Sequence, residues 1–181
     1  MHNRIYLDTN ILLDLLVDEN KFSDYSKIRT NMELIKSSKE LVYNYISNGA
    51  DLYINTSTLT NISFLLSERA KVSNENIANE FLKIEASDIF KVIDEVKELR
   101  INASTFSKNN NTDYEDTLQY FCAKSSNCDV IITNDENFPK LDIPLVRTNP
   151  KFENYTPETT QEKKGVIDNI INLVRKTKWK S

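Results

Sequence analysis

The apolar run Val130-Ile131-Ile132 constrains this chain more than any other feature. It carries no polar alternation, so a strand made of it has to be covered on both faces. Parallel sheets sandwiched between helices meet that condition. Arg4-Ile-Tyr-Leu7 reads as a second buried strand, ending at Asp8. Asp51–Asn55, Ile89–Ile93 and Ile143–Val146 supply three more short strands. Between them the apolar spacing turns helical. Asn10–Val17 puts Ile11, Leu12, Leu15 and Leu16 on one face. A helix capped by Ser23 or Asp24 runs to Ser47 and stops at Asn48-Gly49, which tolerate the left-handed turn of a helix C-terminus. Ser57 or Thr58 caps the next, with Leu59, Ile62, Leu65 and Leu66 inward. Another starts at Ser73, with Ile77, Phe81, Leu82 and Ile84 inward. Glu95–Lys108 is helical, Asn109–Thr112 a polar loop, and Asp113–Ser125 helical with Leu118, Phe121 and Cys122 inward. Strands alternating with helices imply an α/β fold, a three-layer α/β/α sandwich around a central, mainly parallel sheet of four or five strands.

Composition narrows the chemistry. With 181 residues and 39% hydrophobic content, the chain suits one such domain over residues 1–152, followed by an extension over 153–181. No stretch approaches the roughly 18 consecutive apolar residues of a membrane helix. Asp8, Asn10 and Asp14 break the N-terminal apolar stretch, so no secretory signal is read there and a cytoplasmic protein is expected. The two cysteines, Cys122 and Cys128, and the single histidine, His2, exclude a zinc finger and leave histidine-centred catalysis only His2, near the terminus. Cys122 and Cys128 read as reduced structural thiols. Hydrolytic chemistry would therefore rest on carboxylates with a metal. The formal net charge is −4, unevenly spread. From Lys163 to Ser181 six cations face one anion, a net +5, and the remainder holds 17 cations against 26 anions, a net −9. That extension reads as a helix over Gly165–Trp179, with Val166, Ile170, Leu173 and Val174 on one side. Its charge suits a phosphate-binding arm or an ordinary solvated helix end, and composition leaves both open.

In a parallel sheet the functional crevice lies beyond the carboxyl ends of the strands. Asp8 directly follows the first strand, and Asp135 follows Val130–Ile132 across Thr133-Asn134. Asp113 and Asp116, three apart, share one face of the helix between them, although Asp113 also suits the helix N-cap. Clustered carboxylates repel unless neutralised, and Mg²⁺ or Mn²⁺ prefers such oxygen ligands. A hydrated cation held by carboxylates suits phosphodiester hydrolysis without a protein nucleophile. A haloacid-dehalogenase-type phosphatase would need a second aspartate two residues after the first, where this chain has Asn10. A receiver-like phospho-acceptor would need paired acids at the first strand and a late lysine, and neither is evident.

Three segments carry a resemblance. Leu7-Asp8-Thr9-Asn10-Ile11-Leu12-Leu13-Asp14 resembles the opening strand and turn of PIN-domain proteins. Asp113-Tyr-Glu-Asp116-Thr-Leu-Gln119, followed by Ala123, is similar to their central acidic helix. Asp129-Val-Ile-Ile-Thr133-Asn-Asp135-Glu-Asn-Phe138 resembles their closing strand, acid and aromatic. The resemblance covers about Arg4 to Phe152. It implies an α/β/α sandwich and an Mg²⁺- or Mn²⁺-dependent ribonuclease acting on single-stranded or structured RNA, in many members the toxin of a toxin–antitoxin pair. It therefore implies RNA, an antitoxin protein and a homodimer as partners, and no membrane. By resemblance Asp8, Asp116 and Asp135 ligate the metal or position the attacking water, with Asp113 a further carboxylate for a metal. Asn10 buttresses Asp8, and Thr133 hydrogen-bonds within the site. Where many members carry a glutamate on the helix after the second strand, this chain has Asn61, which can bond a water or ligate weakly but carries no charge. Asn61 leaves a catalytically weak, RNA-binding or scaffold member of the family as the alternative.

Overall fold

The structure, a computed structural model, describes residues 3–18 and 25–158. His2, the expected caps Ser23 and Asp24, and the basic segment with its expected helix lie outside the described residues. Five strands form one sheet: β1 (Arg4–Leu7), β2 (Asp51–Asn55), β3 (Phe90–Ile93), β4 (Val130–Ile132) and β5 (Leu145–Val146). Among the described residues the helices are α1 (Thr9–Leu16), α2 (Met32–Ser47), α3 (Thr56–Phe64), continued by a wider π-helical turn over Leu65–Arg69, α4 (Asn74–Glu85), α5 (Lys97–Asn110) and α6 (Tyr114–Ser125). The strand order is β3-β2-β1-β4-β5, with every neighbouring pair parallel. The expected sandwich with a parallel sheet is therefore the fold.

Alternate residues along each strand serve opposite helical layers. Ile5, Leu7, Leu52, Ile54, Val130 and Ile132 join one core with residues of α1, α2, α3 and α4. Tyr6 and Ile131 turn to the other face and pack with Ala103 of α5 and Leu118, Tyr120 and Cys122 of α6. Both faces are covered, which is why these strands lack polar alternation. Both thiols are buried and unpaired, as structural residues are expected to be.

Several boundaries differ from the sequence-based expectation, some for local reasons and some through tertiary contact. The helix that ends at Ser47 is not continuous back to Tyr25 but starts at Met32, with the Asn31 side chain accepting from the Leu34 amide at 3.1 Å. Before it, Tyr25 is helical and Ser26–Ile28 form a turn, closed by the Ile28 and Arg29 amides on the Tyr25 carbonyl. Neither Ser57 nor Thr58 caps α3. Its N-cap is Asn55, and Glu95 reaches across from the end of β3 to accept from the Ser57 amide at 2.7 Å. Glu95 also accepts from the Ser57 hydroxyl and the Asn55 amide group, so α5 starts at Lys97 rather than at Glu95. A carboxylate there also favours the positive end of the helix dipole. The expected Asn109–Thr112 loop is shorter, because α5 runs to Asn110 and closes on Asn111 in the left-handed conformation, φ 53°. Leu82, expected inward, is 65% exposed. The phase of α4 is set by Ile77 and Ile84, each 4% exposed, and Leu82 lies about 140° round the helix from Ile77. The last strand is confined to Leu145–Val146, because Pro144 has no amide hydrogen and offers the sheet only its carbonyl, to Ile131.

The buried strand β4 and the solvent-facing leucine make a paired test. Ile132→Ala should destabilise the fold by about 2–5 kcal/mol, while Leu82→Ala should stay within about 0.5 kcal/mol of the parent. Urea midpoints at unchanged m-value check both, and equal shifts for the two would contradict the packing described.

Candidate active site

The chain builds β1, β2 and β3 outward to one side, then returns to lay β4 on the other side of β1. The gap between the carboxyl ends of β1 and β4 is thus the topological switch point, where parallel sheets open a crevice. A cleft of ≈ 480 Å³ lies there, lined by Asp8, Thr9, Asn10, Asp113, Glu115, Asp116 and Asp135 among others. Four of the expected acids, with Asn10, thus meet in one place. Asn61, on α3, is not among the lining residues, and the cleft wall on that side is Leu65, one turn further on.

Asp8 is the N-cap residue of α1, yet its side chain makes no capping bond. Its backbone carbonyl accepts from the Ile11 and Leu12 amides, each at 3.0 Å. The carboxylate is turned to the cleft, where Asn10 Nδ2 and Thr133 Oγ1 both donate to Oδ2 at 2.5 Å. Two donors on one oxygen fix the carboxylate in one orientation. Asn10 and Thr133 thus both stand against the Asp8 carboxylate. Asp8 is only 3% exposed. Burial pushes its carboxyl up to about 6, against the lowering effect of the Thr133 hydrogen bond and with further upward pressure from Asp135 and Glu115.

The Thr133-Asn134-Asp135 segment is bonded throughout. The Asp135 amide donates to Thr133 Oγ1 at 3.0 Å, and Asp135 Oδ1 accepts from the Asn137 amide at 2.8 Å. Asn134 donates its amide to Asn10 Oδ1 and accepts at Oδ1 from the amides of Thr148 and Asn149. Behind it the buried Arg147 donates to the Asp135 carbonyl. Arg147 lies 12 residues away in sequence with no local signal of this role.

The third source of charge is the start of α6. Asp113 is the N-cap residue, exposed, and its Oδ1 accepts from the Glu115 and Asp116 amides at 2.7 and 3.3 Å. Capping is therefore one role Asp113 fills. Asp116, half-buried, carries the strongest electrostatic pressure. Burial first, then Asp8, Asp135, Asp113 and Glu115, push its carboxyl up to about 8. Glu115 is a cleft residue that sequence reasoning passed over. Its Oε1 accepts from Thr9 Oγ1 at 3.0 Å and Gln119 Nε2 at 3.3 Å, tying α6 to α1. The glutamate's place inside the acidic motif, one residue before Asp116, was its available signal. The other residue passed over is Arg29, also in the cleft wall and paired with Asp14.

These donors are all hard oxygens with an excess of negative charge, the chemistry that suits Mg²⁺ or Mn²⁺. Among the described residues, no three acidic, cysteine or histidine side chains stand together closely enough to hold a metal ion by themselves. An open arrangement is compatible with Mg²⁺, which keeps several waters and is usually held by one or two carboxylates together with substrate phosphate.

A parallel α/β/α sandwich with carboxylates from β1, β4 and an intervening helix gathered at its switch point defines the class. The chain belongs to the PIN domain family, which matches residues 5–144, a span that takes in Asp8, Asp116 and Asp135. Ribonuclease VapC1 of Aquifex aeolicus is 25% identical over 153 residues, covering 80% of this chain and 90% of that protein. The crystal structure of Mycobacterium tuberculosis VapC20, described as a sarcin–ricin loop cleaving toxin, is similar at a TM-score of 0.55 and 13% identity, over 74% of this chain and 92% of its own. The latter likeness is one of fold. No helix among the described residues is long and apolar enough to cross a membrane.

The raised carboxyls fix the sign of a pH effect. Asp8 at about 6 and Asp116 at about 8 both stand above the ordinary 3.8. The folded chain thus keeps protons that the unfolded chain releases. Metal-free stability is greatest at the acidic end of this window and falls as pH rises towards 8. Asp116→Asn should raise the melting temperature at pH 8 in chelator and flatten its decline between pH 6 and 8. A wild-type melting temperature that climbs over that interval would contradict the proposed carboxylate repulsion.

Proposed function

We propose that this chain is a metal-dependent endoribonuclease of PIN type, the toxin of a toxin–antitoxin pair. The observation that carries the reading is the meeting of Asp8, Asp116 and Asp135, from three separate elements, in one cleft at the switch point of the sheet. Burial first, and then the repulsion of Asp8 and Asp135, raise the Asp116 carboxyl, and that unmet negative charge supports a cationic occupant. Asp8, Asp116 and Asp135 would hold Mg²⁺ or Mn²⁺, with Asp113 and Glu115 at the rim. The cation, when bound, supplies positive charge for the phosphate and an activated water. Thr133 and Asn10 hold the Asp8 carboxylate in its one orientation, and Asn134 holds Asn10. The carboxylates exclude a bare polyanion until that charge is offset, so RNA entry and metal loading are coupled. The basic segment from Lys163, at +5, offers attraction that the −9 remainder lacks. The same reading gives the protein RNA and an antitoxin protein as partners, a homodimer as its assembly and the cytoplasm as its location.

A second reading, an RNA-binding family member with little catalysis, is favoured by the uncharged Asn61 and its place outside the cleft lining. Cleavage of single-stranded and structured RNA, with Mg²⁺ or Mn²⁺ and then with chelator, separates the two. Wild type should cut only with the ion, and Asp8→Ala should abolish cutting. Thr133→Val and Asn10→Ala should lose about 10–100-fold, the usual cost of removing a group that orients a ligand. Asn61→Ala should lose less than either. Metal-independent cutting, or full activity in Asp8→Ala, would refute the carboxylate mechanism. Binding of both RNAs without cutting would establish the second reading.

A further inference from the structure

Among the described residues the cleft is lined by five carboxylates, Asp8, Asp113, Glu115, Asp116 and Asp135, and by one cation, Arg29. Arg29 lies in the turn before α2 and its side chain is 18% exposed. It is held by Asp14 of α1, whose side chain is fully buried. Nε donates to Asp14 Oδ1 at 2.5 Å and Nη2 to Oδ2 at 2.7 Å, a two-point pairing of planar groups. When the Nε–Nη2 edge of a guanidinium faces a carboxylate, Nη1 occupies the opposite corner and directs its two N–H groups away. Among the described residues Arg29 Nη1 has no partner. The residue thus has one edge locked into the protein and one corner uncommitted, on the wall of a cleft meant for a phosphodiester.

The lock is itself anchored. Asp14 interacts with Ser38, whose Oγ lies 3.1 Å from Thr148 Oγ1 and 3.4 Å from Asn134 Nδ2. Asn134 bonds Asn10, and Asn10 bonds Asp8. A continuous polar chain therefore joins Arg29 to the acid at the centre of the site. A buried ion pair is weak evidence for stability as such, because desolvating both charges offsets their attraction. This pair places a rigid cation beside an acidic cleft, where a flexible one would collapse onto the nearest carboxylate.

We propose that Arg29 binds a backbone phosphate of the RNA through Nη1, and that Asp14 is the positioning residue that presents it. This inference rests on the ribonuclease reading above. The test uses the full chain and a fluorescein-labelled, unstructured single-stranded RNA. Affinity is titrated against salt with Ca²⁺ replacing the catalytic ion, and kcat and KM are measured with Mn²⁺. Arg29→Gln should shallow the slope of log affinity against log salt by about 0.7, the value for one phosphate contact on a single strand. Its KM should rise about tenfold with a smaller change in kcat. Asp14→Asn should raise KM while keeping the wild-type salt slope, since the charge stays and only its placement is lost. A merely structural Arg29 would lower the melting temperature and leave salt slope and KM unchanged, and that outcome overturns the proposal. If Arg29→Gln does not fold, Arg29→Lys decides, since it keeps the charge without the two-edged geometry. A raised KM at wild-type slope supports the inference, and an unchanged KM overturns it. Wild type that cuts RNA beside an indifferent Arg29→Gln defeats this inference alone. Wild type that neither binds nor cuts RNA defeats the ribonuclease reading and this one with it.

Discussion

The parallel pairing of β1 with β4 is the contact on which the rest of the site depends. Ile5, Tyr6 and Leu7 lie in register with Val130, Ile131 and Ile132, segments more than 120 residues apart in sequence. The Asp8 amide extends the ladder by donating to the Ile132 carbonyl at 3.1 Å. Asp8 and Thr133 therefore leave the sheet at the same level, side by side. The register makes the Thr133–Asp8 hydrogen bond possible, and that bond makes a buried carboxylate tolerable there. A carboxylate removed from water without such partners would carry a penalty of several kcal/mol. Slipping the register by one residue would turn Ile131 and Ile132 to the wrong faces and break this contact as well.

Around that pairing, the fold accumulates negative charge and offsets only part of it within the protein. Burial raises the proton affinity of Asp8 and Asp116, Asp135 and Glu115 add to it at Asp8, and Asp8, Asp135, Asp113 and Glu115 add to it at Asp116. Arg147 sits buried behind Asp135, bonded to the backbone, and Arg29 sits at the side, bonded to Asp14. Neither arginine forms an ion pair with the three central acids. The charge is left available to something from outside, and stability at neutral pH is correspondingly reduced in the metal-free chain. A site that neutralised itself with an internal lysine would be more stable and could hold no cation.

What could be read from the sequence follows from the range of the interaction that carries each feature. The strands around Ile5 and Ile131 and the acids directly after them are local signals, so Asp8 and Asp135 could be placed before any tertiary contact was known. Asp116 needed the motif as well, since an acid in the first turn of a helix is common. Asp113 had two readings, cap or metal carboxylate, and the geometry gives it the cap while leaving it at the rim of the cleft. The cap of α3 was missed because Glu95, not the nearby hydroxyls, supplies it from 38 residues away. Arg29 and Arg147 were invisible for the same reason. A lone arginine in a loop reads as a solvated cation until its buried partner is known. Leu82 was misplaced because a run of apolar residues does not by itself fix which side of the helix meets the sheet.

Two helix starts converge on the cleft, and they bear on how the carboxylates persist there. The chain enters α1 at Thr9 and α6 at Tyr114, and residues of both first turns line the cleft. The amino end of each helix carries the equivalent of about half a positive charge on its unbonded amides. Asp113 takes up the Glu115 and Asp116 amides of α6 in the ordinary capping manner. At α1 the corresponding residue, Asp8, makes no side-chain cap of this kind, gives its backbone carbonyl to the Ile11 and Leu12 amides and turns its carboxylate to the cleft. The α1 end thus retains amides that the Asp8 side chain does not cap, and their dipole faces the same space as the acids. This diffuse positive field eases the crowding of carboxylates without forming a bond that an entering cation would have to break. The sacrifice of a side-chain cap costs α1 about 1 kcal/mol of local stability. In return, the acid at the centre of the sheet is oriented by Thr133 and Asn10, both fixed by the fold.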